Sequence, residues 1–194
     1  MMTRLFIGVP IESVIIEQEV KRWRNEPLLN RNFLKWVEPE NWHMTLFFLG
    51  NQDISAIALL QQILEESFST VPPFSATANL LGVFPTQRDP KVLWIGIDNL
   101  QLLLPAYLRM GELLLQNGFN FNNKPLTPHL TLARIKRLAT NDSFESFLTQ
   151  NRELNFGSFA ISRVVLFESI LSVHGSVYKP LYVKFLGSGQ EEAI

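Results

Sequence analysis

The 194-residue chain has no cysteine. That excludes disulfides, thiolate metal ligands and thiol nucleophiles, and it fits a reducing cytoplasm. Histidine is scarce, with three residues, and no His-x-His or His-x₃-His pair occurs. A zinc site built from His43, His129 and His174 is therefore not expected, and no other metal or cofactor is called for. Long apolar runs are missing as well: nothing approaches the roughly 20 apolar residues that span a bilayer. The opening MMTRLFIGVPIESVII has a superficial likeness to a signal peptide. Pro10 and Glu12 interrupt it early, however, and no small-residue cleavage site follows. The expectation is a soluble, cytoplasmic protein with no membrane partner.

Neither sign of charge prevails, since 17 Lys and Arg face 18 Asp and Glu, for a net charge of −1. That argues against a broadly basic surface that coats nucleic acid. Small positive clusters exist at Lys21, Arg22 and Arg24, at Arg88 and Lys91, and at Arg134, Lys136 and Arg137. Each is compatible with an ordinary solvated face or with a pocket for one phosphate. The remaining composition, 46% hydrophobic and 18% charged, is that of a globular protein. The length suits one large domain or two small lobes sharing a core.

Periodicity gives alternating elements. RLFIGV (4–9) reads as a strand stopped by Pro10, and residues 11–24 as a helix started by that proline. An extended run within 36–49 ends at Gly50. Asp53 is placed to cap a helix over 54–68, and FSATANL (74–80) alternates with Phe74, Ala76, Ala78 and Leu80 on one side. The order then restarts: VLWIGID (92–98), a helix from about Leu104 to Gln116 stopped at Gly118, and a strand HLTLARI. Asn141 or Asp142 caps a short helix through Leu148. Extended runs at 159–168 and 176–186 finish the chain. His43 follows Phe6 by 37 positions and His129 follows Trp94 by 35, each through strand, helix and strand. The expected fold is α+β and bilobal: two pseudo-symmetric lobes, each an antiparallel or mixed sheet with helices outside, flanking one cleft. No Gly/Ser linker separates them, so residues 1–194 form a single domain of two repeats, roughly 1–85 and 86–194.

The repeats contain HMTL at His43 and HLTL at His129. On a strand alternate side chains share a face, so His43 and Thr45 project together, as do His129 and Thr131. Across a cleft the pairs supply two imidazoles and two hydroxyls. That set suits phosphoryl chemistry: one imidazole takes a proton from the attacking oxygen and the other gives one to the leaving oxygen. The threonines hydrogen-bond the non-bridging oxygens. A single His-x-Thr in an apolar strand is common by chance. Two, at equivalent places in a repeat, are not.

These motifs resemble those of the two-histidine phosphoesterase superfamily. More narrowly, the blocks RLFIGVP, KWVEPENWHMTLFFLG, FPTQRDPKVLWIGID, KPLTPHLTLARIKR and VVLFESILSVHGSVYKPL resemble, in order and nearly end to end, the bacterial and archaeal RNA 2′,3′-cyclic phosphodiesterases, historically called 2′-5′ RNA ligases. The resemblance implies metal-independent hydrolysis of a terminal 2′,3′-cyclic phosphate to a 2′-phosphomonoester, with RNA 3′ ends or nucleotides bearing that group as partners; a monomer is simply the default state. The resemblance assigns His43 as acid and His129 as base. It also implies that Phe48 stacks on the terminal base and that Arg134 holds the phosphate. Both stand five residues after their histidine, an odd offset that places them on the opposite face of a regular strand. The strand's twist or end must bring them round. His174 is expected on the cleft rim, with Ser172 and Tyr178 nearby. The alternatives are 2′-5′ RNA ligation and a nucleotide-binding module without catalysis. The weak net charge suggests that a terminus rather than a long backbone is recognised.

Overall fold

The computed structural model describes residues 1–187, apart from 31–32, 122–124, 139–140 and 173–174. In chain order its elements are β1 (Met2–Pro10), α1 (Val14–Arg24), α2 (Pro27–Asn30), β2 (Phe33–Trp36), β3 (His43–Asp53), α3 (Ala56–Phe68), β4 (Phe74–Pro85), β5 (Pro90–Asp98), α4 (Leu104–Gln116), β6 (His129–Arg137), α5 (Asn141–Asn151), β7 (Asn155–Ile161), β8 (Arg163–Ser172) and β9 (Gly175–Phe185). The strands make two antiparallel sheets, ordered β3-β1-β8-β9 and β2-β6-β5-β4-β7. The protein is α+β and bilobal, as expected.

Local signals account for most boundaries. Pro10 ends β1, but α1 begins three residues after the expected start, because Ser13 is its cap and accepts the Ile16 N–H at 3.4 Å. Asp53 stays in β3 and instead binds the Ser55 N–H and hydroxyl at 3.0 and 2.8 Å, so α3 starts at Ala56. The Leu104 start and Gly118 stop of α4 match the sequence reading, with Gly118 at φ +79°. Two further expectations change. Leu80 leaves the Phe74–Ala78 face, because the β4 ladder slips between Asn79 and Leu81. Leu80 is 47% exposed at φ +56° and Leu81 is buried in its stead. The run 159–168 is two strands, broken at Ser162, where the chain passes from the second sheet to the first.

The sheets interleave along the chain. β1-α1-β3 and β5-α4-β6, the two repeated units, lie in different sheets, but β2 and β4 belong with β5 and β6 while β8 and β9 return to β1. Each unit's helix also reaches across. Trp23 of α1 packs edge-on to Phe156 of β7 and Phe147 of α5, at 5.7 and 5.4 Å between centroids. Tyr107 of α4 stacks on Phe47 of β3 at 4.7 Å. One continuous apolar core, running from Leu5 and Trp23 to Phe68, Leu93 and Phe144, therefore serves both lobes.

Candidate active site

Each motif strand opens with its histidine, and the chain before it fixes the ring. The Nδ1 atom of His43 lies 2.7 Å from the Asn41 carbonyl, and that of His129 lies 2.6 Å from the Thr127 carbonyl. A carbonyl oxygen only accepts, so Nδ1 carries the hydrogen in both rings. That leaves Nε2 of each neutral ring with a lone pair for a substrate proton. The tether spans two residues back along the chain in both motifs, so the repeat extends to the atoms that set the tautomer.

The odd offset of Phe48 and Arg134 has a specific cause. In β3, Ile7 pairs with Phe47 but Gly8 pairs with Thr45, leaving Leu46 as an extra residue. In β6, Leu93 pairs with Ala133 but Trp94 pairs with Thr131, leaving Leu132 extra. A bulge one residue past each threonine shifts the alternation by one. The pairs Leu46-Phe47 and Leu132-Ala133 are consecutively buried, after which Phe48 and Arg134 emerge on the face of their histidines. Both then line the same cleft as His43, Thr45 and Thr131, a space of about 490 Å³. His129 is not among the residues that line this space, but it is near enough for its charge to act on His43.

The two imidazoles sit in different surroundings. His43 is packed by Phe6 and Tyr178, each 4.8 Å away, and by Phe167 at 6.1 Å. That burial pushes its pKa below the ordinary 6.5; the Asn41 hydrogen bond opposes the shift and the charge of His129 adds to it. His129, held edge-on by Phe84 at 5.0 Å and near Trp94 at 6.3 Å, is the more open of the two. Close packing around His43 requires Gly8 opposite Thr45. A Cβ on Gly8 would lie 2.9 Å from the Met44 carbonyl oxygen and 3.5 Å from His43 Cδ2.

The cleft is cationic. Arg4, Lys35, Arg134 and Lys136 line it, and among the described residues no carboxylate does. Phe48 is 42% exposed, and the Arg4 guanidinium lies over its ring at 4.8 Å. Arg4 and Lys35 are missed by sequence reasoning. Arg4 shares a strand face with Phe6 and Gly8, which was a legible hint, whereas Lys35 is placed only by the pairing of β2 with β6, opposite Arg134. Tyr178 does line the cleft. His174 and the Ser172 side chain lie outside the described residues. Among the described residues no three His, Cys, Asp or Glu side chains are grouped to hold a metal.

The chain is 32% identical over 176 residues to the RNA 2′,3′-cyclic phosphodiesterase of Thermotoga maritima, covering 88% of this chain and 91% of that one. It is 33% identical over 180 residues to the Archaeoglobus fulgidus protein of the same name, covering 93% and 98%. A Thermus thermophilus structure superposes with a TM-score of 0.77 at 25% identity, over 96% of this chain and all of that one. E. coli LigT complexed with 3′-AMP shares the fold, with a TM-score of 0.74 at 24% identity over 97% of this chain and all of that one. Residues 11–94 and 102–178 match the description LigT like Phosphoesterase, and the chain belongs to that family.

Proposed function

We propose that this protein hydrolyses the 2′,3′-cyclic phosphate at RNA 3′ ends to a 2′-phosphomonoester, without a metal. The observation that carries the reading is the matched pair of histidines, each tethered through Nδ1 to the carbonyl two residues back and each followed by a threonine on the same strand face. The relatives named RNA 2′,3′-cyclic phosphodiesterase support it.

His129, the more open imidazole, takes a proton from water through Nε2 as the water oxygen bonds to phosphorus. The bond from phosphorus to the 3′ oxygen breaks, the 2′ bond stays, and protonated His43 gives its proton to the departing 3′ oxygen. The lowered pKa of His43 suits this half of the exchange, since an imidazolium with a lower pKa is the stronger acid. The bound phosphate anion compensates by favouring the charged ring. Thr45 and Thr131 hydrogen-bond the non-bridging oxygens and Arg134 supplies a forked cation. Phe48 is the platform for the terminal base, with Arg4 resting on one of its faces.

The test is turnover of an RNA ending in a 2′,3′-cyclic phosphate, with EDTA present, by the parent chain and by His43→Ala and His129→Ala. Formation of the 2′-phosphomonoester by the parent alone is expected. Full activity in either variant overturns the mechanism, EDTA-sensitive turnover indicates a metal enzyme, and binding without turnover indicates a non-catalytic module.

A further inference from the structure

We propose that the outer end of β6 and the β4–β5 turn form a second binding surface, which holds the phosphodiester backbone of the nucleotides 5′ of the RNA terminus. It rests on the reading that the cleft takes an RNA 3′ end. A net charge of −1 conceals how the charge is distributed. Next to the cleft lies a hollow of about 220 Å³, lined by Arg88, Lys91, Lys136 and Arg137, with Asp89 its one carboxylate among the described residues. Lys136 lines both spaces, so they adjoin. Together they hold seven of the chain's 17 lysines and arginines, against a single acid among the described residues.

The arrangement fits a chain of phosphates better than one phosphate. The bulge at Leu132 that turns Arg134 into the cleft also sets the phase of the strand beyond it: Arg134 and Lys136 are exposed with buried Ile135 between them. Two residues of strand advance about 7 Å, which is on the order of the phosphate spacing in an extended single strand. The cations therefore run in a line away from the catalytic phosphate. Asp89 lies 2.5 Å from Lys91 and offsets that charge. Arg88, Lys136 and Arg137 have no ion pair among the described residues, and all three are exposed. An unpaired cationic strip continuous with a site for a strand end is suited to the rest of that strand. Its affinity comes from counterion release, independent of sequence.

The test is the double variant Arg88→Ala/Arg137→Ala, at positions that do not line the catalytic cleft. The value of kcat/KM is measured for an octanucleotide ending in a 2′,3′-cyclic phosphate and for a nucleoside 2′,3′-cyclic monophosphate, across a range of KCl. The parent should favour the octanucleotide. The variant should lose roughly fivefold to tenfold on it at low salt, keep the mononucleotide rate, and show a log–log salt slope shallower by about 1.4, from about 0.7 per cation removed on a single strand. Equal losses on both substrates, or an unchanged slope, overturn the proposal. Should neither substrate turn over, the hydrolase reading fails instead. Fluorescence anisotropy of the same octanucleotide with a 3′-hydroxyl end then decides the strip: a weakened, less salt-dependent Kd in the variant supports it and an unchanged Kd overturns it.

Discussion

Replacing Gly8 with alanine should cost activity more than any loss of fold explains. The added Cβ sits 2.9 Å from the Met44 carbonyl oxygen, whereas ordinary contacts begin near 3.4 Å. The neighbour is backbone, so it cannot swing aside, and β1 and β3 must separate by about half an ångström. Met44 lies between His43 and Thr45, so the displacement passes to both. A misplacement of about 1 Å costs on the order of 10²-fold in rate, so half of that costs roughly tenfold in kcat. Overpacking of this kind destabilises by about 1–3 kcal/mol. In a chain of this length that lowers Tm by roughly 2–12 °C. Turnover of a cyclic-phosphate substrate at 25 °C, well below Tm, separates the two effects. Gly111→Ala is the control: its Cβ would meet Phe47 and Phe121 at 3.6 to 3.7 Å, ordinary contact, inside α4. That variant should keep full activity and gain about 0.5–1 kcal/mol of stability from helix propensity. A Gly8→Ala protein with the parent's kcat refutes the view that close packing of β1 on β3 positions His43.

The other expectations concern protons and the base. The folded pKa of His43 is below its unfolded value of 6.5, so the unfolded chain binds the extra proton. Its contribution to stability is complete above about pH 6.5 and declines as the pH falls through the folded pKa. His43→Gln should flatten the fall in Tm between pH 7 and 5, and a slope as steep as the parent's contradicts this. For the same reason a nucleoside 2′-phosphate bound beside His43 should take up a proton near neutral pH, seen as a buffer-dependent heat in calorimetry; a buffer-independent heat contradicts it. Phe48→Ala should raise KM for nucleotide substrates, by about 1–3 kcal/mol of lost stacking, and leave ribose 2′,3′-cyclic phosphate unaffected. Equal losses on both would mean that Phe48 is packing rather than platform.

The residues of the candidate site were more legible in the sequence than the strand pairings that arrange them. His43, Thr45, His129 and Thr131 stand out because a repeated pattern at matched spacing is visible in one dimension, and α4 because its proline, periodicity and stop glycine are local signals. The position of Phe48 and Arg134 on the histidine face was not derivable, because a bulge is a property of two strands. Leu46 and Leu132 look like any other core residue until Gly8 and Trp94 are set opposite their partners. Lys35 and the break at Ser162 were hidden for the same reason, since sheet membership depends on pairings between distant parts of the chain. The cationic strip was obscured by an overall charge near zero. Net charge sums over a surface that the fold sorts into regions.

The interleaved sheets also set an order of assembly when the chain is made from its N-terminus. The second sheet has all its strands once β7, ending at Ile161, is available. The first does not: β1 and β3 form early, yet the open side of β1 waits for β8 and β9, and Phe6 waits for Phe167 and Tyr178, which pack beside it at 4.9 and 5.0 Å. Those are the rings that enclose His43. A nascent chain therefore carries one motif in a finished lobe and the other on a two-stranded ribbon, which has little stability alone. Catalytic competence should arrive only with the last hairpin, so a ribosome-bound or prematurely ended chain would be inert toward RNA.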